Sequence, residues 1–104
     1  MNRDQILQFV VSKIVEKVHP HQIYLFGSQA KGTATPDSDV DLVVVADMEG
    51  PRTKRSVEIS KLFPGRDFSL DVFVFNPDEF ERQKKLLSSV SYIAVNEGKM
   101  LYER

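Results

Sequence analysis

The chain has 104 residues, 41% of them hydrophobic and 28% charged, with a formal net charge of −1. That length fits one domain, 1–104, and the near-neutral balance argues against disorder, a dedicated nucleic-acid coat or a basic membrane surface. Cysteine is absent, which excludes a disulfide framework and a thiolate zinc site.

The opening MNRDQILQFV carries charge and no long apolar run leading to a small-residue cleavage site. Neither a signal peptide nor a membrane span is expected, and a cytoplasmic location is. Ile6, Leu7, Val10, Val11, Ile14, Val15 and Val18 recur at helical spacing and predict an amphipathic helix over 3–18. Asn2 caps it, with Gln5 three residues on. His19-Pro20 ends it, because the residue before a proline is pushed out of helical geometry. QIYLF, 22–26, reads as a short buried strand. GSQAKG, 27–32, suits a tight turn into a short helix, and TATPDS, 33–38, a loop. DVDLVVVA, 39–46, is the clearest strand in the chain. A turn at DMEGP leads to a helix over 52–63 of fair amphipathicity, which PGRD breaks. FSLDVFVF, 68–75, is a third strand. Asn76, Pro77 and Glu79 make a capping box for a helix running to about 97, bent near Ser88-Ser89. Gly98 stops it, and KMLYE reads as a last short strand. Strands alternating with helices indicate an α/β domain.

Two aspartates sit at the front of the most apolar strand. Side chains alternate across a strand, so Asp39 and Asp41 share one face while Val40 and Leu42 take the other. Two carboxylates ~5 Å apart at a partly buried site repel by about 3 kcal/mol at an effective dielectric of 20. A divalent cation reverses that sign, and Mg²⁺ is held by one or two carboxylates together with substrate phosphates. Asp71 interrupts the apolar run of the third strand. If that strand lies beside 39–46, three carboxylates converge, enough for two cations ~3.5–4 Å apart of the kind that serve in-line displacement at phosphorus. Upstream, Gly27 lets the backbone approach a ligand closely, and a turn into a helix directs free N–H groups outward to phosphate. The Ser28 hydroxyl and the Lys31 ammonium add a donor and a charge there.

Gly27-Ser28, ten intervening residues, Asp39-Val40-Asp41 and then Asp71 resemble the signature of the DNA polymerase beta-like nucleotidyltransferase superfamily. Four fixed residues at fixed spacing match by chance about once in 10³ chains of this length, so the motif is specific. The chain as a whole, its GKMLYE ending included, resembles the minimal nucleotidyltransferases, often the antitoxin partners of HEPN-domain toxins. The resemblance implies the nucleotidyltransferase fold, a small mixed β-sheet with helices packed against it. It also implies transfer of AMP from ATP to a hydroxyl, in the antitoxin setting a tyrosine of the HEPN toxin. Asp39 and Asp41 would bridge two Mg²⁺ ions, with Asp71 on the nucleophile side as ligand and proton acceptor. Gly27, Ser28 and Lys31 would hold the nucleotide's outer phosphates. The sequence departs from the subfamily at Gln29 and Lys31, where arginines are common; lysine cannot grip phosphate bidentately.

About 100 residues are consumed by such a catalytic core, so the acceptor is expected to be small or to arrive with a partner chain, in a hetero-oligomer or a homodimer. Two alternatives stand beside the adenylylating antitoxin: one that neutralises its toxin by binding alone, and a small-molecule nucleotidyltransferase of the aminoglycoside-modifying type. Elsewhere the ordinary readings are structural. Asp37, Ser38 and Asp67 are read as turn residues, and His19 and His21 as surface or capping residues. Arg52, Lys54 and Arg55 are read as a solvated helix start, Phe73 and Phe75 as core, and Tyr92 and Tyr102 as packing residues.

Overall fold

A computed structural model describes residues 2–27 and 39–104. In chain order the elements are α1 (Arg3–Val18), β1 (Gln22–Phe26), β2 (Val40–Val45), α2 (Arg52–Ser60), β3 (Leu70–Phe75), α3 (Pro77–Gln83), α4 (Val90–Glu97) and β4 (Lys99–Glu103). The strands form one mixed sheet in the order β3-β2-β1-β4. β1 pairs antiparallel with β2 and with β4, and β2 pairs parallel with β3. This is the small mixed sheet with packed helices that the family resemblance implies.

The apolar run of β2 explains its central position. A strand buried on both faces reads as a near-continuous hydrophobic stretch, and Val40 and Leu42 through Ala46 are all buried. On one face Val40, Leu42, Val44, Leu70, Val72, Val74, Ile23 and Leu25 pack with Val10 and Ile14 of α1 and Ile59 of α2. On the other, Tyr24, Val43, Val45 and Phe75 pack with Phe80 of α3 and Ala94 of α4. The Tyr24 and Phe80 rings stack at 5.6 Å.

The helix ends follow the sequence closely at α1 and α3. Asn2 and Gln5 exchange side-chain and backbone bonds of 2.9 Å, and Asn76 and Glu79 form the same box. His19 caps α1 in the left-handed region at φ 52, and His21 pairs with Asp47 at 2.7 Å, consistent with the capping and surface roles expected of them. Tyr102 packs partly buried against the core.

Four expectations change. The helix expected over 52–63 ends at Ser60, and Phe63 then turns into the core. The helix expected to continue to 97 is two helices. Ser88 adopts φ 68, and the Ser89 side chain then caps α4 by accepting from Tyr92 N–H. Arg55, expected in solvent, is 7% exposed. Its guanidinium donates to Glu79 at 2.7 Å, a partner 24 residues away that no local pattern announces. Phe73, expected in the core, is 39% exposed, because the α3–α4 layer stops short of it.

Gly98 does end α4, but in extended geometry rather than a left-handed cap. Its need for glycine is spatial: a Cβ there would collide with the carbonyl oxygens of Leu25 and Ala94.

β3 is an edge strand, and its open side is covered rather than left bare. Ser56 Oγ of α2 donates to Val72 O at 2.7 Å, and the Arg55 guanidinium lies 3.5 Å from Val74 O. α2 thereby clasps the sheet edge that carries Asp71.

Candidate active site

The parallel register of β2 and β3 sets Asp41 opposite Asp71. Both therefore point to the same face of the sheet, and alternation along β2 brings Asp39 to that face as well. One carboxylate oxygen from each of the three lies within 4.8 Å of the others. Asp39 and Asp71 are exposed and Asp41 is half-buried.

The cluster sits where the covering helices end. Further along β2 on the same face, Val43 and Val45 are buried under Phe80 and Ala94. Asp41 instead has Phe26 of β1 and Asp71 of β3 as its register partners, and one step on, opposite Val43, stands the exposed Phe73. The Phe26 and Phe73 rings lie 5.8 Å apart.

Burial first, then the charges of Asp71 and Asp39, push the Asp41 carboxyl up to about 6 from an ordinary 3.8. A hydrogen bond with Asp71 acts in the same direction. An unaccompanied trio of this kind favours protonation, which is the electrostatic reason to expect a cation among the charged forms.

Gly27 follows β1 directly and has φ 78. A Cβ at this position would fall 2.6 Å from Asp41 Oδ2. Only the absence of a side chain lets the turn backbone lie this close to the carboxylate. Ser28 and Lys31, the other two nucleotide-binding expectations, lie outside the described residues, as do Gln29, Asp37 and Ser38.

The donor set is hard oxygen, with three carboxylates converging from two strands and a side-chain-free backbone beside them. That chemistry fits Mg²⁺ with phosphate oxygens completing its shell, and the trio could hold such an ion. The structure thus brings together Asp39, Asp41, Asp71 and Gly27. What sequence reasoning misses is Phe73 as part of the open surface. A signal for it exists: it shares a face with Asp71, which must reach solvent.

No described helix is long and apolar enough to cross a membrane. No curated protein matches the sequence. Among solved structures, a Sulfolobus solfataricus protein assigned provisionally as a nucleotidyltransferase superposes with a TM-score of 0.67 at 20% identity, covering 96% of this chain and 79% of that one. A toxin–antitoxin structure with AMP-PNP superposes at 0.56 and 22% identity, covering 100% and 75%. A Tyr→Ala variant of the MntA–HpeT toxin–antitoxin pair superposes at 0.57 and 25% identity, covering 100% and 74%. The model of the nucleotidyltransferase domain matches residues 4–101, nearly the whole chain, on the same strands that carry the three carboxylates. Fold, carboxylate geometry and family model agree, and the chain belongs to the nucleotidyltransferase domain family.

Proposed function

We propose that the chain transfers AMP from ATP to a hydroxyl group on a partner protein, a tyrosine of a HEPN-type toxin, and so acts as an adenylylating antitoxin. The convergence of Asp39, Asp41 and Asp71 beside Gly27 carries this reading. The likeness to the MntA–HpeT toxin–antitoxin pair supports the choice of partner class.

In this reading the acceptor oxygen attacks the α-phosphorus of ATP. The new O–P bond forms as the bridging P–O bond to the β-phosphate breaks, pyrophosphate leaves, and the acceptor proton passes to Asp71 and then to water. Asp39, Asp41 and Asp71 would hold the Mg²⁺ that such a transfer uses, and Asp71, at the sheet edge, would also serve as the proton acceptor. Bound Mg²⁺ supplies charge neutralisation on the phosphates. The Gly27 backbone and the Ser28 hydroxyl orient the outer phosphates, and Lys31 adds positive charge. The protein's share of the catalysis is positioning and electrostatic preorganisation.

The test is mass spectrometry of the purified toxin after incubation with the chain, ATP and Mg²⁺. An added AMP group, lost with Asp39→Ala, Asp41→Ala or Asp71→Asn, is the expected result. Full inhibition of the toxin with no added mass would overturn catalysis in favour of neutralisation by binding. Labelled nucleotide on an aminoglycoside in the absence of any second protein would instead point to a small-molecule acceptor.

A further inference from the structure

We infer that Phe73 is the acceptor platform of this site: an exposed ring, braced by Phe26 and continuous with a groove at Arg52, that seats the phenol ring of the acceptor. The inference rests on the transfer reaction proposed above and assigns residues to its acceptor side.

The order of groups across the sheet sets the direction of approach. Gly27 at the end of β1 lies against Asp41 of β2, and Asp71 of β3 stands beyond it at the sheet edge. In-line displacement puts the entering and leaving oxygens on opposite sides of phosphorus. With the outer phosphates at the Gly27 side, the entering hydroxyl comes from the β3 side. Phe73 is the next residue after Asp71 on that face, and it is 39% exposed whereas Val72, Val74 and Phe75 are buried. Phe26 meets it at 5.8 Å with the ring planes tilted 57°, the one ring contact of Phe73 among the described residues.

Beyond Phe73 the surface continues as a groove of about 340 Å³ between β3 and α2, lined by Arg52, Thr53, Ser56, Val72, Phe73 and Val74. The Arg52 guanidinium lies 5.3 Å from the Phe75 ring centroid and forms no ion pair among the described residues. Ser56 is committed to Val72 O, which leaves Thr53 and Arg52 as the polar groups of the groove. An aromatic wall at Phe73, with a hydroxyl and a cation further along the groove towards the Phe75 end of β3, matches a tyrosine with an acidic neighbour. The ring stacks on Phe73, the phenol oxygen faces Asp71, and the flanking carboxylate faces Arg52. A serine hydroxyl reaches the same carboxylates but gains nothing from the ring.

The experiment is an NMR titration of the full chain with Mg²⁺ and a non-hydrolysable ATP analogue present, using N-acetyl-tyrosinamide as probe. N-acetyl-serinamide and adenosine serve as controls. The phenol is expected to shift the signals of Phe73 and Phe26, and the two controls to leave them in place. Phe73→Leu, which keeps apolar bulk without a ring face, weakens the phenol about tenfold, while Phe73→Tyr stays within about twofold. The spectrum of each variant reports its fold directly. Unmoved Phe73 signals, equal binding by Phe73→Leu, or the same shifts with adenosine would each overturn the platform. If the ATP analogue itself moves nothing at Gly27, Asp39 or Asp41, the transfer reading fails first and takes the platform with it.

Discussion

Gly27 and Asp41 occupy each other's space: the first atom a side chain would add at Gly27 would lie 2.6 Å from Asp41 Oδ2. Gly27→Ala therefore meets two obstacles, the steric contact and a φ of 78 that alanine rarely adopts. The expected cost is on the order of 2 kcal/mol of stability, with loss of nucleotide binding. A double-mutant cycle in urea separates the two obstacles. In an Asp41→Ala background the collision is relieved, so Gly27→Ala should cost measurably less there. Equal costs in both backgrounds would refute the contact.

Asp41 makes a pH prediction with a definite sign. Its folded-state pKa of about 6 lies above its ordinary 3.8, so the folded chain binds more protons than the unfolded chain between those values. Stability from this group is fully present below about 4 and is lost as pH rises through about 6. Melting temperature in EDTA, taken as the difference between wild type and Asp41→Asn, should fall across that window. Adding Mg²⁺ should remove the fall, because the cation stabilises the charged form. A difference curve flat with pH would contradict the carboxylate coupling.

Glu79 behaves in the opposite sense. The Asn76 backbone N–H first, and then Arg55, hold its carboxyl below the usual range. Its contribution is present above the ordinary carboxylate pKa and is lost as pH falls through the lowered one. Glu79→Ala leaves the Arg55 charge buried without its partner and should cost about 3 kcal/mol in urea unfolding. Arg55→Met removes the charge along with the need for a partner and should cost less.

Ser88 and Ser89 are adjacent and should respond in opposite directions. Ser88 holds φ 68, so Ser88→Gly should raise stability by up to about 1 kcal/mol. Ser89 donates to Gln83 O and caps α4, so Ser89→Ala should lower it by about 1 kcal/mol. Thermal melts of the two single variants decide it.

The carboxylate cluster is legible in the sequence, because it needs only alternation along β2 and the one inference that β3 lies beside it. The capping boxes at Asn2 and Asn76 need only four-residue windows. What escapes depends on distant partners or on where a layer ends. Nothing local to Arg55 announces Glu79, and no strand pattern states that α3 and α4 stop before Phe73. Sequence reasoning places a bend at Ser88-Ser89 but not a full break, because the pair contains neither glycine nor proline; one serine takes a left-handed backbone and the next starts a helix.

The clasp of α2 on β3 has a consequence for the whole site. Asp71 belongs to the cluster only while β3 remains docked on β2, and Ser56 and Arg55 tie that strand down from its outer side. With a cation held there as proposed, its affinity and the docking of α2 would be thermodynamically reciprocal, each favouring the other by the same free energy. A protein that gripped α2 and drew it outward would discharge the cation without touching a single aspartate. One that pressed it home would tighten cation retention from a distance.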